Sequence, residues 1–243
     1  AINIMPLPKI ATPTYEMVLP SSNKKIKYRP FLVKEEKILI IAMESEDQKQ
    51  ITNALKTVIN NCILTRGIKV DKLSTFDIEY LFLNIRGKSV GENVEVVITC
   101  PDDNETQVPV IIPLDEIKIQ RDPKHQKDIK LDNDLIMRMR YPSLNEFIKT
   151  NFDFSDGVGV EESFDLVISC IDQIYNQEES WTSSDCTKKE MVDFLEQLSS
   201  KQFKDIEQFF DTMPKLSHKI KVTNPKTKVE NEVLLEGLSS FFE

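Results

Sequence analysis

Two turns, 124 residues apart, are where this sequence comes nearest to a metal centre. The first lies in VVITCPDDNETQVPVIIPL, from Val96 to Leu114; the second lies in IKVTNPKTKVENEVLLEGL, from Ile220 to Leu238. Superposed without a gap, Thr99-Cys100-Pro101 falls on Thr223-Asn224-Pro225, and Leu114 falls on Leu238. A two-knuckle zinc centre takes Cys-x-x-Cys from each turn, because four thiolates close a tetrahedron around the ion. Here the first turn keeps Cys100 and the second keeps no cysteine. Asp102 and Asp103 do not complete the set, and Asn224 and Thr227 are poor zinc ligands. No metal and no cofactor is therefore expected, and the hairpins themselves must hold these turns in shape. An internal duplication leaves such a pair of turns. Unrelated hairpins also share them, since turns favour Asn and Pro.

The other groups with chemical potential are scattered. Asp102-Asp103, Glu161-Glu162 and Glu178-Glu179 are neighbours in sequence. Neighbours on a helix or strand point apart, so adjacency does not set two carboxyls across one substrate. His125 sits in Lys124-His125-Gln126-Lys127 and reads as part of a solvated loop. His218 opens the second hairpin and reads as a backbone partner. Neither has a Ser or Cys in a recognisable nucleophile setting. Gly157-Val158-Gly159 lacks the third glycine and the lysine of a phosphate loop. No catalytic residue is expected, and no small-molecule substrate.

Composition narrows the class further. The 243 residues carry 31 Lys and Arg against 40 Asp and Glu, a net charge of −9. Nucleic-acid binding needs cations to displace counterions, so this balance argues against it. The basic run Lys24-Lys25-Ile26-Lys27-Tyr28-Arg29 reads as the wet face of a strand. The four cysteines, Cys62, Cys100, Cys170 and Cys186, show no close pairing. Cys62 and Cys170 fall in apolar helical patterns, as small core residues do. A reducing cytoplasm suits that usage, and nothing at the N-terminus resembles a cleaved targeting peptide. The longest clean apolar run, Ile38 to Met43, is far too short to cross a bilayer.

The elements that must position these groups follow from periodicity. Residues 1–13 form an apolar arm in which Pro6, Pro8 and Pro13 forbid regular structure. A hairpin is expected over Tyr15–Leu19 and Lys25–Arg29. A helix from near Lys34 is almost continuously apolar through Ile38–Met43, which predicts burial on most sides. Ile51, Ala54, Leu55, Val58, Ile59 and Cys62 share one face of the next helix. A third starts at Ser74, with Asp77 placed to complete a cap and Gly87 as its stop. The first of the twin hairpins follows. Residues 118–134 are charged and aperiodic, and read as a linker or an exposed excursion between an N-terminal half, 14–117, and a C-terminal half, 135–243.

The second half opens with a strand over Leu135–Tyr141. Pro142-Ser143 then begins a helix, with Glu146 three positions after Ser143. Phe164, Val167, Ile168, Ile171, Ile174 and Tyr175 read as one helical stripe. Asn176 to Cys186 reads as a polar loop around the only tryptophan, Trp181. Thr187-x-x-Glu190 and Ser199-x-x-Gln202 cap two more helices, and Pro214 ends the second. The fold class expected is α+β: two linked halves, with duplication as one reading of their likeness, each of helices packed on short antiparallel hairpins.

With chemistry this sparse, surfaces for other proteins remain. Ile4, Met5 and Leu7 of the arm would gain by burial against the fold or a neighbour. Tyr28, Arg29 and Phe31 concentrate aromatic and guanidinium groups at the exit of the first hairpin. Trp181 is either a local anchor or an exposed hot spot. Phe241 and Phe242 close the core or dock on another subunit.

Several long segments carry a resemblance. They are TYEMVLPSSNKKIKYRPFLVKEEKILIIAMES, FDIEYLFLNIRGKSVGE, and FLEQLSSKQFKDIEQFFDTMPKLSHKI running into EVLLEGLSSFF. These resemble the baseplate hub assembly protein family of T-even-type contractile-tailed bacteriophages, from about Thr14 to Phe242 and least through 118–133. Members of that family often carry Cys-Pro-x-Cys-type patterns at the two turns. This chain matches Cys100-Pro101 and Pro225 alone, so no metal role carries over. The resemblance implies a non-enzymatic component of the tail baseplate hub that acts in assembly by protein-protein contact. Its expected partners are other baseplate proteins and the tape-measure protein, with no nucleic acid and no membrane. The alternative is a transient chaperone for a hub or tape-measure protein, absent from the mature virion. The implied location is the virion tail, and the host cytoplasm during assembly.

Overall fold

Alternation of apolar and polar residues builds the first hairpin. β1 (Tyr15–Val18) pairs antiparallel with β2 (Lys25–Tyr28), and Met17, Ile26 and Tyr28 turn inward. The computed structural model describes residue 8, residues 10–146 and residues 160–237. Helices α1 (Val33–Glu44), α2 (Gln48–Cys62) and α3 (Thr75–Val90) follow. Asp47 caps α2 through the Lys49 amide, and Ser74 caps α3 through the Asp77 amide. The Asp77 carboxylate does not return the bond to its own cap. It turns to Ser21 and accepts from that residue's amide (3.0 Å) and hydroxyl. Gly87 does not stop α3, which runs to Val90 and ends at Gly91, with φ of 145°. Gly87 is instead a close approach: a Cβ there would lie 2.5 Å from Leu114 Cδ1.

β3 (Asn93–Thr99) and β4 (Gln107–Pro113) form the first twin hairpin, and β5 (Lys118–Gln120) follows. In the second half, β6 (Asp128–Lys130) and β7 (Ile136–Met139) pair, and a helix opens at Leu144. Helix α4 (Val160–Cys170) passes directly into β8 (Ile171–Tyr175). β9 (Ser180–Thr182) pairs with β8. Capping boxes at Thr187/Glu190 and Ser199/Gln202 open α5 (Lys188–Glu196) and α6 (Ser200–Thr212). The second twin hairpin is β10 (Lys215–Thr223) with β11 (Glu230–Glu236).

These elements enclose three apolar clusters. The first lies under α1–α3 and the β1–β2 hairpin, and the second among β6–β8 and α4–α6. The third is shared: Val94, Val96 and Ile98 of β3 and Ile112 of β4 pack with Ile220 and Val222 of β10 and Leu235 of β11. The fold is α+β, and its twin hairpins share this third cluster.

Four further expectations change. Residues 118–134 supply two strands rather than a free linker: β5 pairs with β10, and β6 with β7. The stripe from Phe164 to Tyr175 breaks at Cys170, because Ile171 and Ile174 face the core from a strand. The run Ile38–Met43 is not buried on most sides: Ile40, Ile41 and Met43 are exposed. Part of the Asn176–Cys186 stretch is also regular, with Trp181 opposite Ile174 in the β8–β9 pair.

Candidate functional site

The twin turns carry out the same backbone pattern. In the first, the Asn104 amide donates to the Cys100 carbonyl at 2.8 Å, and Asn104 takes φ of 53°. In the second, the Lys228 amide donates to the Asn224 carbonyl at 2.9 Å, and Lys228 takes φ of 66°. Positions 100 and 104 thus match 224 and 228. The match then slips. Thr99 pairs with Gln107, but Thr223 pairs with Glu230, so the first loop is one residue longer. The ungapped superposition therefore holds only as far as the left-handed residue.

The turns also touch, and Asp102 is the centre of the contact. Its carboxylate accepts from Asn224 Nδ2 at 3.0 and 3.1 Å, from Asn231 Nδ2 at 2.8 Å and from the Thr227 hydroxyl. Its amide donates to Asn231 Oδ1 at 3.1 Å. Asn224 and Asn231 are buried, and Asn224 Oδ1 also accepts the Lys226 amide at 2.8 Å. Lys226 reaches Glu105 at 3.4 Å on the rim. Hydrogen bonds from Asn224, then Thr227, hold the Asp102 carboxyl below the usual carboxylate range. Asp103 is held low by the Thr106 hydroxyl and amide. An ionised carboxylate is acceptor-only, and three side chains of the second hairpin supply it with donors. It works as a clasp between turns.

Cys100 lies fully buried beside this clasp. Burial, and then the Asp102 and Asp103 charges, push its thiol up, which disfavours the nucleophilic thiolate. Among the described residues, no three His, Cys, Asp or Glu side chains are placed to share an ion. The two residues after Cys100-Pro101 thus serve hydrogen bonding, as do Asn224 and Thr227.

A second repeated constellation escaped the sequence reading. Arg29 donates from both terminal nitrogens to the Glu35 carboxylate, at 3.1 and 2.9 Å, and to the Pro30 carbonyl at 2.9 Å. Arg140 does the same to Glu146, at 3.0 and 2.6 Å, and to the Tyr141 carbonyl at 3.3 Å. Glu35 also accepts the Leu32 amide, and Glu146 the Ser143 amide. The Arg29 amide donates to the Cys62 carbonyl, and the Arg140 amide to the Cys170 carbonyl. Tyr28 bridges Ile63, and Met139 pairs with Ile171. Each set ties a strand exit, a helix start and the end of a later helix. The signal was present as Arg-x₅-Glu flanking a proline, twice.

His125 is not in a solvated loop. Its ring stacks with Tyr141 and lies against Phe209. Thr212 Oγ1 gives its proton to the Gln208 carbonyl, so it accepts from His125 Nδ1–H at 2.9 Å. Nε2 then accepts from the Tyr141 hydroxyl at 3.0 Å. Burial first, then Lys127, keep this imidazole's pKa low. It serves as a neutral pin between the 118–134 segment and α6.

The residues expected to meet partners fall in different places. Tyr28 and Phe31 are buried in the first cluster, and Arg29 is committed to Glu35. A docking role would require them to leave that packing. Trp181 is partly exposed on β9. Ile4, Met5, Leu7, Phe241 and Phe242 lie outside the described residues, as does Gly157-Val158-Gly159. No helix among the described residues is long and apolar enough to cross a membrane.

No curated protein and no solved structure matches the chain. Residues 12–243 match the family described as T4 bacteriophage base plate protein, nearly the full length. The chain belongs to that family of phage base plate proteins.

Proposed function

We propose that this protein is a non-enzymatic component of the baseplate hub and acts in tail assembly by binding other tail proteins. The carrying observation is the family match across residues 12–243. The site geometry supports it: Asp102, Glu35, Glu146, Arg29, Arg140 and His125 are each spent on holding the chain together. Other baseplate proteins, and with them the tape-measure protein, are the partners, and the virion tail is the place. The two halves descend from one duplicated unit. The repeated Arg–Glu clamp, the Cys-carbonyl contact and the twin turns support this, in the same order in each half.

Mass spectrometry of purified virions, with pull-down from infected cells, tests the reading. Recovery in virions alongside hub proteins agrees with it. Absence from virions, with capture of a hub or tape-measure protein in cells, replaces it with the transient chaperone. Turnover of a small compound by the purified chain would overturn both.

A further inference from the structure

Helix α1 carries two apolar faces, and the chain covers one. Ile38 and Leu39 pack on the first cluster, and Glu35 and Ala42 are buried beside them. On the opposite side Val33 is 80% exposed, Ile40 57%, Ile41 56% and Met43 61%. At 100° per residue, Val33, Lys37, Ile40 and Glu44 form one line, with Ile41 and Met43 on either side. Four large side chains exposed to this degree leave roughly 400 Å² of apolar surface on the outer side of α1, interrupted by Lys37 and Glu44, the size of the largest patch on a typical monomer and often a functional one. Ordinary helix propensity does not call for it, since the exposed positions of a soluble helix are normally polar.

The charges on this face are unevenly spread: Lys34 and Lys37, with Glu36 between them, leave the first half of α1 net positive, and Glu44 ends it. Lys34, Lys37 and Glu44 stand at the wrong end for their own helix dipole, which favours anions at the N-terminus, where Glu36 stands, and cations at the C-terminus. An antiparallel neighbour with the same sequence corrects this. Its Glu44 meets Lys34 and Lys37, its dipole opposes the first, and Val33, Ile40 and Ile41 of the two copies interleave. A parallel neighbour would set like charges together.

We propose that the Val33–Ile40–Ile41–Met43 face of α1 pairs with the same face of a second copy, the helices antiparallel about a two-fold axis. The interface is isologous and closed, as most homodimers are. With the lysine stems and Leu32 included, the pair buries about 1,000 Å² in total, the lower end for specific association. A reversible dimer follows, with Kd on the order of micromolar. This inference does not rest on the hub reading, since it concerns only contacts between copies.

Sedimentation equilibrium of the purified full chain tests it. Wild type should pass from monomer to dimer across the micromolar range. Ile40→Asp should weaken association by at least about tenfold, the equivalent of one lost buried side chain. Lys37→Glu and Glu44→Lys should each weaken it, and mixing those two variants should restore dimer, because each then meets its opposite. Circular dichroism checks that every variant is folded. A monomer at all concentrations overturns the proposal, and assigns the face to another occupant, such as the arm carrying Ile4 and Leu7 or a different tail protein. A dimer indifferent to Ile40→Asp overturns it too, as does one that the charge variants weaken without rescue on mixing.

Discussion

Replacing Arg29 with Met separates a buried ion pair from a half-exposed copy of itself. The Glu35 side chain is fully buried and Arg29 only 12% exposed, whereas Arg140 is 42% exposed and Glu146 27%. Met keeps the aliphatic stem of Arg29 and removes three charge-assisted hydrogen bonds. Glu35 then keeps the Leu32 amide at 2.9 Å, and Lys34 at 3.7 Å. Stranding a buried charge costs about 3–5 kcal/mol, and those remaining partners put Arg29→Met at about 3 kcal/mol. Arg140→Met should cost only about 1 kcal/mol, because water takes over part of the lost bonding. In urea unfolding, with a slope of about 3 kcal/mol/M for a chain this size, the midpoint shifts are about 1 M and about 0.3 M.

The same variant carries a pH signature. In the wild type, burial works to raise the Glu35 carboxyl. Arg29 and the Leu32 amide outweigh it and pull the pKa below 4.5. That contribution is complete above pH 4.5 and is lost as pH falls through the folded value. Without Arg29, burial wins and the carboxyl rises above 4.5. Folding of the variant then takes up a proton, so its deficit should shrink between pH 7 and 5. The double variant Arg29→Met/Glu35→Leu should recover most of the loss, since an apolar pair replaces a buried ion pair well. Equal costs for Arg29→Met and Arg140→Met, or a deficit that widens in acid, would refute the reasoning.

His125 should make stability fall on acidification in a higher window. Its folded pKa is depressed from 6.5, so its contribution is full above about pH 6.5 and declines as pH falls below it. In His125→Gln that slope between pH 7.5 and 5.5 should disappear from urea midpoints. Asp102→Ala removes the acceptor for three side chains of the second hairpin. Amide exchange should quicken at residues 100–106 and 224–229 and stay unchanged in α5 and α6; uniform protection would dismiss the clasp. Thr187→Ala breaks a capping box and should cost about 1 kcal/mol, read as a lower thermal midpoint.

Much of the fold was legible because local rules decide it. The α2 face from Ile51 to Cys62, the boxes at Thr187 and Ser199 and both twin hairpins need only neighbours in sequence. The misreadings share one cause. Ile171–Tyr175 continues a helical spacing, but pairing with β7 on one side and β9 on the other makes it a strand. The charged residues around β5 have no period of their own, and β10 gives them one. His125 looked solvated because Tyr141, Phe209 and Thr212, which enclose it, are distant in sequence.

The sequence by itself determined the class of the protein, the helix starts and the absence of a four-thiolate knuckle pair. It also placed matching turns at Cys100 and Asn224. Those properties depend on residue type and spacing over a few positions. Tertiary structure alone decided that the two turns face one another and that Asp102 joins them. It also decided that one Arg–Glu clamp is dry while its counterpart is wet, and that α1 keeps an apolar face uncovered. Each of these depends on which surfaces exclude water once segments distant in sequence have packed, and no local spacing encodes that.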